Sequence, residues 1–347
     1  MRLSSVALCA NLIMSSVTAF AGDVTNLNSA RVPVADRSDT EFKRGLAKAL
    51  EAVIVKLTGS SAAARTKRAR AVIGQAQRLV QQFGYEQPRT ATSGTGSLML
   101  RVEFDARVLG EEMRARQLAV WGKERPDTLV WLIVEDESGR RLLGVHDENA
   151  IVAVLNSRAN ARGIPLVFPL GDIAESSVAA TASSAAELDR ALYDAQKRYG
   201  VRAIFSGVLR QVMPTLWEGE WRLNVQDETM DWEQQGDLVE LVVEEAVESL
   251  ADALGRRFAA SATQLKVDPV NITVTGLTTA LDYARVERYL RTVDSVTRLM
   301  VQRVDDQGIV FDLMVRGGLA GLRQTISFGQ TLSADPASRT MFRLHQR

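Results

Sequence analysis

The stretch Thr128-Leu129-Val130-Trp131-Leu132-Ile133-Val134 is almost wholly apolar. A strand with one solvated face alternates apolar and polar residues, whereas an unbroken apolar run predicts a strand that is covered on both faces. We therefore expect helices on both sides of the sheet that contains this strand. Residues 121–260, which surround it, are predicted to form a central α/β domain.

The elements that follow the apolar strand complete this prediction. Trp217 and Trp221 share one face of a predicted hairpin strand, and packing against a covering helix explains them better than a ligand groove does. The predicted order is a helix over 148–162, a short strand over 164–168, a Ser/Ala-rich flexible loop over 175–186, a helix opened by Ser184 and Glu187 and ended by Gly200, strands over 201–212 and 216–225, and a helix over 237–258.

Residues 22–120 are predicted to form an N-terminal α+β region, a helical pair with strands. The spacing of apolar residues, the helix-capping residues and the alternation typical of strands predict its elements. They are a strand over 31–34, a capping box between Ser38 and Glu41, a helix that ends at Thr58-Gly59, a second helix over 65–83 capped by Gly84, a small-residue loop over 93–97 and a half-buried strand over 98–104.

Residues 261–347 are predicted to form a C-terminal domain, joined through a linker over 259–269. Apolar residues at every second position over 270–274 indicate its first strand. A helix with Tyr283, Val286, Leu290 and Val293 inward, strands over 296–304 and 309–315, a short helix and a final strand follow. This βαββαβ order predicts a ferredoxin-like sandwich. The whole chain is thus expected to be an α+β protein of three parts.

The first residues have the three parts of a secretory signal. Arg2 supplies a positive charge, residues 3–17 are mostly apolar, and Ala19-Phe20-Ala21 places small residues before a cleavage point. We expect cleavage after Ala21 and localisation in the bacterial periplasm. An uncleaved membrane anchor is disfavoured, because the apolar stretch is shorter than the about 20 residues that span a bilayer.

Two further stretches point to a family. Val34-Ala35-Asp36-Arg37-Ser38, followed by the helix Ala49-Leu50-Glu51-Ala52-Val53-Ile54-Val55-Lys56-Leu57-Thr58-Gly59, resembles the start of the DUF2066 family of proteobacterial envelope proteins. The strand Leu129-Val130-Trp131-Leu132 and the passage from Tyr199-Gly200-Val201 to Ser206-Gly207 fit the same pattern. The resemblance covers most of the mature chain and implies an envelope protein. It carries over no site residues, because its motifs are core and turn positions.

Histidine and cysteine, which supply most nucleophilic and metal chemistry, are nearly absent. Cys9 follows Leu8, where a lipoprotein signal needs a small residue, and it is removed with the signal. His345 lies at the terminus, and His146 alone cannot hold a zinc ion or complete a hydrolase triad. The acidic turn over 135–137 lacks the spacing of a calcium loop. We therefore expect no catalytic residue, no metal, no cofactor and no enzyme activity.

An acidic series on the long predicted helix is the first charged candidate. Paired carboxylates can transfer protons or bind cations, but a solvated helix face explains the series more simply. The series, at i, i+4 spacing, is Glu240, Glu244, Glu248 and Asp252.

A cationic cluster at the start of a predicted helix is the second charged candidate. Cations are mildly unfavourable at that end of a helix, so contact with anionic lipid headgroups or another polyanion is a hypothesis for them. The cluster consists of Arg65, Lys67, Arg68 and Arg70.

Overall charge excludes one class of partner. The chain has 42 Lys and Arg against 42 Asp and Glu, so no net field attracts nucleic acid. The lack of a catalytic set and the three-part construction predict a non-enzymatic envelope factor that acts through contacts with other envelope proteins. Peripheral membrane contact is an additional expectation. The alternative is a periplasmic binding module for a small ligand or a polyanion, and a hydrolase with an unfamiliar site is the third hypothesis.

Overall fold

The protein is α+β, as predicted. No helix in the described ranges is long and apolar enough to cross a membrane. The signal peptide with its cleavage point, the loop over 93–97 and Ser184 lie outside those ranges. The computed structural model describes residues 26–87, 98–181, 185–226, 228–262, 267–293, 295–305, 308–329 and 331–345.

The first unit packs a long helix on a three-stranded antiparallel sheet of order β1-β3-β2. The helix α1 begins after the N-cap Ser38 and ends at Gly59, whose φ of 66° is a left-handed conformation that favours glycine. Its inner face shares one apolar core with the sheet. The elements are β1 (Ser29–Val34), α1 (Asp39–Thr58), α2 (Ser61–Ala64), α3 (Lys67–Ile73), α4 (Ala76–Leu79), β2 (Val80–Glu86), β3 (Leu98–Phe104) and α5 (Ala106–Ala115).

The second helix predicted over 65–83 is wrong. Two short helices, α3 and α4, occupy its first part, and residues 80–86 form strand β2 against β3. Pairing with β3 satisfies the backbone of this segment, so tertiary structure overrides a helical pattern. Phe83 is half exposed on this strand, and Gly84, predicted to cap the helix, lies within the strand instead.

Only half of the predicted capping box is present. The Ser38 hydroxyl accepts a hydrogen bond from the Glu41 amide. The Glu41 carboxylate, however, accepts from the amide of Ala35 and the guanidinium of Arg44, while the Ser38 amide donates to Asp36.

The central unit is a three-layer arrangement around a mixed sheet of order β5-β4-β7-β8-β9, with β6 also paired to β4. Val130 and Leu132 of β4 belong to the core that includes α6 and α9, whereas Leu129 and Trp131 belong to the core with α7 and α8. The prediction of a strand covered on both faces is confirmed. The elements are β4 (Thr128–Asp136), β5 (Gly139–Leu142), α6 (Ala150–Arg162), β6 (Leu166–Val167), α7 (Ile173–Thr181), α8 (Ala185–Tyr199), β7 (Ala203–Met213), β8 (Leu216–Val225), β9 (Glu228–Gly236) and α9 (Val239–Ala262).

Two elements of this unit differ from expectation. The loop predicted over 175–186 is wrong for its first part, which is helix α7. The buried Glu175 carboxylate anchors that helix, since it accepts from the Tyr199 hydroxyl at 2.6 Å and from the Gly171 amide at 2.9 Å. The strand β9 was not predicted, because its sequence is largely polar and only Met230 and Trp232 pack on the core.

Trp221 fixes the middle of the β7–β8 hairpin. Its indole lies across Gly219 and Gly207, where an added Cβ would come within 2.5 Å and 2.7 Å of the ring respectively. It also stacks on Phe205, with ring centroids 5.4 Å apart. The tryptophan face is therefore inward, and it does not form a stacking groove for a ligand.

The C-terminal unit has the predicted strand and helix order up to its end, where two strands replace one. β14 pairs parallel to β10, and β13 forms the sheet edge beyond it. The predicted linker is also too long, since α9 continues to Ala262 and β10 begins at Val267. The elements are β10 (Val267–Thr275), α10 (Ala280–Thr292), β11 (Val296–Asp305), β12 (Gly308–Arg316), α11 (Gly318–Phe328), β13 (Leu332–Ala334) and β14 (Met341–Leu344).

The opposite edge of this sheet is β11, which pairs only with β12 among the described strands. Its register with β12 shifts twice, between Val296 and Arg298 and between Val301 and Arg303. Most of its residues are exposed.

Candidate functional site

The four predicted cations lie together on the first unit. Arg65 follows α2, and Lys67, Arg68 and Arg70 belong to α3; all four are exposed. Within the described ranges none of them makes an ion pair. We call these four residues the basic patch.

Local sequence explains how the basic patch is held. Thr66 is the N-cap of α3, and its hydroxyl accepts from the Ala69 amide at 3.2 Å. Ala64, Ala69 and Val72 are buried and attach the segment to the apolar core, so the cations between them face outward.

The segment that leads to the basic patch is fixed to the central unit. Asp252 of α9 accepts from the amide and the hydroxyl of Ser61, at 3.2 and 3.1 Å. Next to it, the backbones of Gly59 and Gly255 are in contact, since a Cβ on Gly255 would lie 2.1 Å from the Gly59 oxygen. The end of α1 therefore docks directly on α9.

Arg162 of α6 completes this contact. Its guanidinium is almost fully buried and donates to Glu248, to Asp252 at 2.5 Å and to the carbonyl of Gly59 at 3.1 Å. Burial raises the pKa of Asp252, but the hydrogen bonds from Arg162 and Ser61 outweigh burial and lower the pKa overall.

The expectation that the acidic series of α9 is a solvated face is wrong for three of its members. Glu244 pairs with Arg158 at 2.7 Å, and Glu248 and Asp252 pair with Arg162. The sequence signal existed: arginines stand four residues apart on α6 and face glutamates four residues apart on α9. Residues four positions apart lie on the same face of a helix, so the two arginines can meet the two glutamates across the contact between α6 and α9.

Two further buried cations lie where the first unit meets the central unit. Arg125 donates to the carbonyls of Lys56, Arg162 and Gly163 at 2.7–3.0 Å, and stacks over the Trp121 ring. The Lys56 ammonium donates to the carbonyls of Asn26 and Ser29. Burial, and then the charge of Arg125, lower the pKa of Lys56 to about 8.

A lysine with a lowered pKa is the type that serves as a nucleophile. Lys56, however, is enclosed by carbonyls and by the left-handed Gly163, where an added Cβ would lie 3.0 Å from Lys56 Cγ. This arrangement supports a structural role, which is to hold α1 against the segment that enters β1.

The other residues considered for metal binding are His146 and the acidic turn over 135–137. His146 is exposed, and no group of three His, Cys, Asp or Glu side chains suited to a metal ion occurs in the described ranges. Glu135 and Asp136 of the predicted acidic turn are the last residues of β4 and form ion pairs, Glu135 with Arg140 and Arg210 and Asp136 with Arg141.

Comparison with known proteins concerns the first unit. Residues 21–122 match the family model of a domain of unknown function, DUF8605. The expected membership of the DUF2066 family is therefore wrong, since the family matched over the opening stretch is a different one. Residues 49–59, which carried that resemblance, are core and cap positions that many amphipathic helices share. No curated protein matches the chain.

Proposed function

We propose that this protein is exported to the bacterial periplasm and works there as a non-enzymatic envelope factor. The observation that carries the proposal is the basic patch, which presents four neighbouring cations without ion-pair partners in the described part of the chain. Cations in the first turn of a helix oppose its dipole. Only Lys67 and Arg68 occupy such a turn, since Arg65 caps the end of α2 and Arg70 lies in the last turn of α3. The placement of these two cations costs the fold some stability, and an anionic partner would offset that cost.

The partner that this surface fits is an anionic membrane. No aromatic residue lies among residues 65–70, so the basic patch supports contact with headgroups rather than insertion into the bilayer. Each cation near such a surface contributes about 1 kcal/mol. Four of them give a weak, reversible attachment, and salt would screen it because the Debye length is only about 8 Å at physiological ionic strength.

Export is supported by the secretory pattern of the first residues. The family match begins at residue 21, next to the expected cleavage point, which is consistent with a mature chain from Gly22. Mass spectrometry of the protein from its native host should find Gly22 as the first residue. An intact Met1 on cytosolic protein would contradict the proposal.

Membrane attachment is tested by sedimentation of the mature chain with vesicles. We expect binding to vesicles of phosphatidylglycerol and phosphatidylcholine, none to phosphatidylcholine alone, and loss of binding at high salt. Changing Arg65, Lys67, Arg68 and Arg70 to Gln should abolish the binding.

A matched control distinguishes the loss of the basic patch from the loss of four positive charges elsewhere on the protein. The variant with Arg190, Arg288, Arg339 and Arg343 changed to Gln loses the same charge from exposed positions elsewhere. It should bind like the unchanged protein. Equal losses in both variants, retention of binding by the basic-patch variant, or no binding to anionic vesicles would each overturn membrane attachment.

A further inference from the structure

A cleft with a volume of about 170 Å³ opens where the three units meet. The first unit contributes two residues that precede β1 and residues of α1 and α5. The segment before β4 contributes Leu118 and residues 120–124, α9 contributes Phe258, and the C-terminal unit contributes residues of β12 and α11. A small molecule in this cleft would contact all three units at once.

One side of the cleft is apolar. Leu57, Leu118, Trp121 and Phe258 line it, and the rings of Trp121 and Phe258 are stacked with centroids 5.9 Å apart. Arg125 covers Trp121 at 4.1 Å and so holds the indole in place. This side suits a hydrocarbon chain or a single ring.

The charged residues of the cleft are mostly cations. Among the described residues, Arg114, Lys123 and Arg316 line it together with the carboxylate of Glu124. Ser295 adds a hydroxyl whose oxygen is buried and has no hydrogen-bond partner in the described structure. Guanidinium groups are well suited to carboxylates, which they bind through paired hydrogen bonds.

We propose that the cleft binds a small amphiphilic carboxylate, with its apolar part against the apolar side of the cleft and its carboxylate on Arg114. A cavity of about 150 Å³ is large enough for benzene, so the volume fits one ring or a short alkyl chain. This site is separate from the basic patch and does not depend on membrane attachment.

The test uses benzoate, phenylacetate and hexanoate as probes, and benzamide, phenylacetamide and hexanamide as their neutral counterparts. Saturation-transfer NMR and calorimetry on the full mature chain should show binding of at least one acid and much weaker binding of its amide. Binding should also raise the unfolding temperature, because a ligand that binds only the folded state stabilises it.

Arg114→Gln should weaken binding of the acid about tenfold, the effect of losing one charge-assisted hydrogen bond, and should leave binding of the amide unchanged. Arg107→Gln is the matched control, since Arg107 lies on the same helix, is largely exposed and pairs with Glu111 outside the cleft. Circular dichroism checks the folding of both variants. The proposal is overturned if no acid binds, if acid and amide bind equally, or if the two variants weaken binding alike.

Discussion

Gly59 and Gly255 are in van der Waals contact through their backbones, at the point where the end of α1 meets α9. Gly255 lies inside a helix, where alanine would by itself stabilise the protein by about 1 kcal/mol. A methyl group there would instead lie 2.1 Å from the Gly59 carbonyl oxygen. We therefore expect Gly255→Ala to destabilise the protein by about 2 kcal/mol or more.

Urea unfolding measures this loss. Gly110→Ala is the control, because that helical glycine is approached only by the flexible tip of Arg114. The control should be neutral or stabilising, and an unchanged Gly255→Ala variant would show that the two helices do not meet as described.

Arg162→Met removes a buried cation from two carboxylates and from the carbonyl of Gly59. Removing one partner of a fully buried ion pair costs about 3–5 kcal/mol. The loss here should lie below that range, because Glu248 and Asp252 keep side-chain exposures of 39% and 30% and can be hydrated, but above the about 1 kcal/mol that exposed pairs contribute at most. Arg158→Met, which breaks the more exposed pair with Glu244 on the same two helices, is thus expected to cost far less. Similar losses in the two variants, measured by urea unfolding, would contradict the structural importance of Arg162.

Asp252 makes the stability of the protein depend on pH in the acid range. Its pKa is lowered in the folded protein, so the folded state binds fewer protons than the unfolded state near that pKa. The resulting stabilisation is present above the unfolded pKa of about 3.9 and is lost as pH falls through the lower folded value. Asp252→Asn should lose stability at neutral pH and show a shallower decline below about pH 4. An unaltered acid slope in the variant would exclude this role.

Lys56 makes the stability of the protein depend on pH in the alkaline range, because burial destabilises its charged form in the folded state. Its pKa is lowered from 10.5 to about 8, so between these values the unfolded state binds more protons. The cost of burying the charge is fully present below about pH 8 and disappears as pH rises towards 10.5. Stability should therefore rise over this interval, by about 3 kcal/mol on a linkage basis.

Lys56→Met should remove the rise, whereas Lys48→Met, at an exposed position of the same helix, should retain it. The measurement is the free energy of unfolding at several pH values from neutral to alkaline. A rise that persists in Lys56→Met would assign the effect to another group.

The sequence predicted elements whose pattern and burial agree, and it missed those that depend on a partner strand. The apolar run in β4 and the alternation in β8 could be read directly, because each pattern reflects the faces that are buried. The polar strand β9 could not, since its place at the sheet edge comes from pairing with β8. Residues 80–86 fit a helical pattern and became a strand for the same reason.

The same distinction applies to the candidate site residues, because features within one stretch of sequence could be predicted and contacts between distant stretches could not. The basic patch was recognised because its charges are close together in the chain at the predicted start of a helix, although only Lys67 and Arg68 lie in the first turn of α3. The contact of Arg162 with Asp252 joins residues from different helices, and spacing alone suggested only a solvated acidic face. The cleft is built from three units, and no single stretch of sequence contains it.

The irregular edge strand β11 has a consequence for the behaviour of the protein at high concentration. Uncovered edges recruit strands from other molecules, which leads to fibrous or amorphous deposits, and bulges and charged side chains counter this recruitment. The two register shifts in β11 disturb the spacing that an incoming strand would need, and Arg298 and Arg303 lie beside them. In a crowded compartment, the longest open edge of the C-terminal unit is thus protected by its own irregularity.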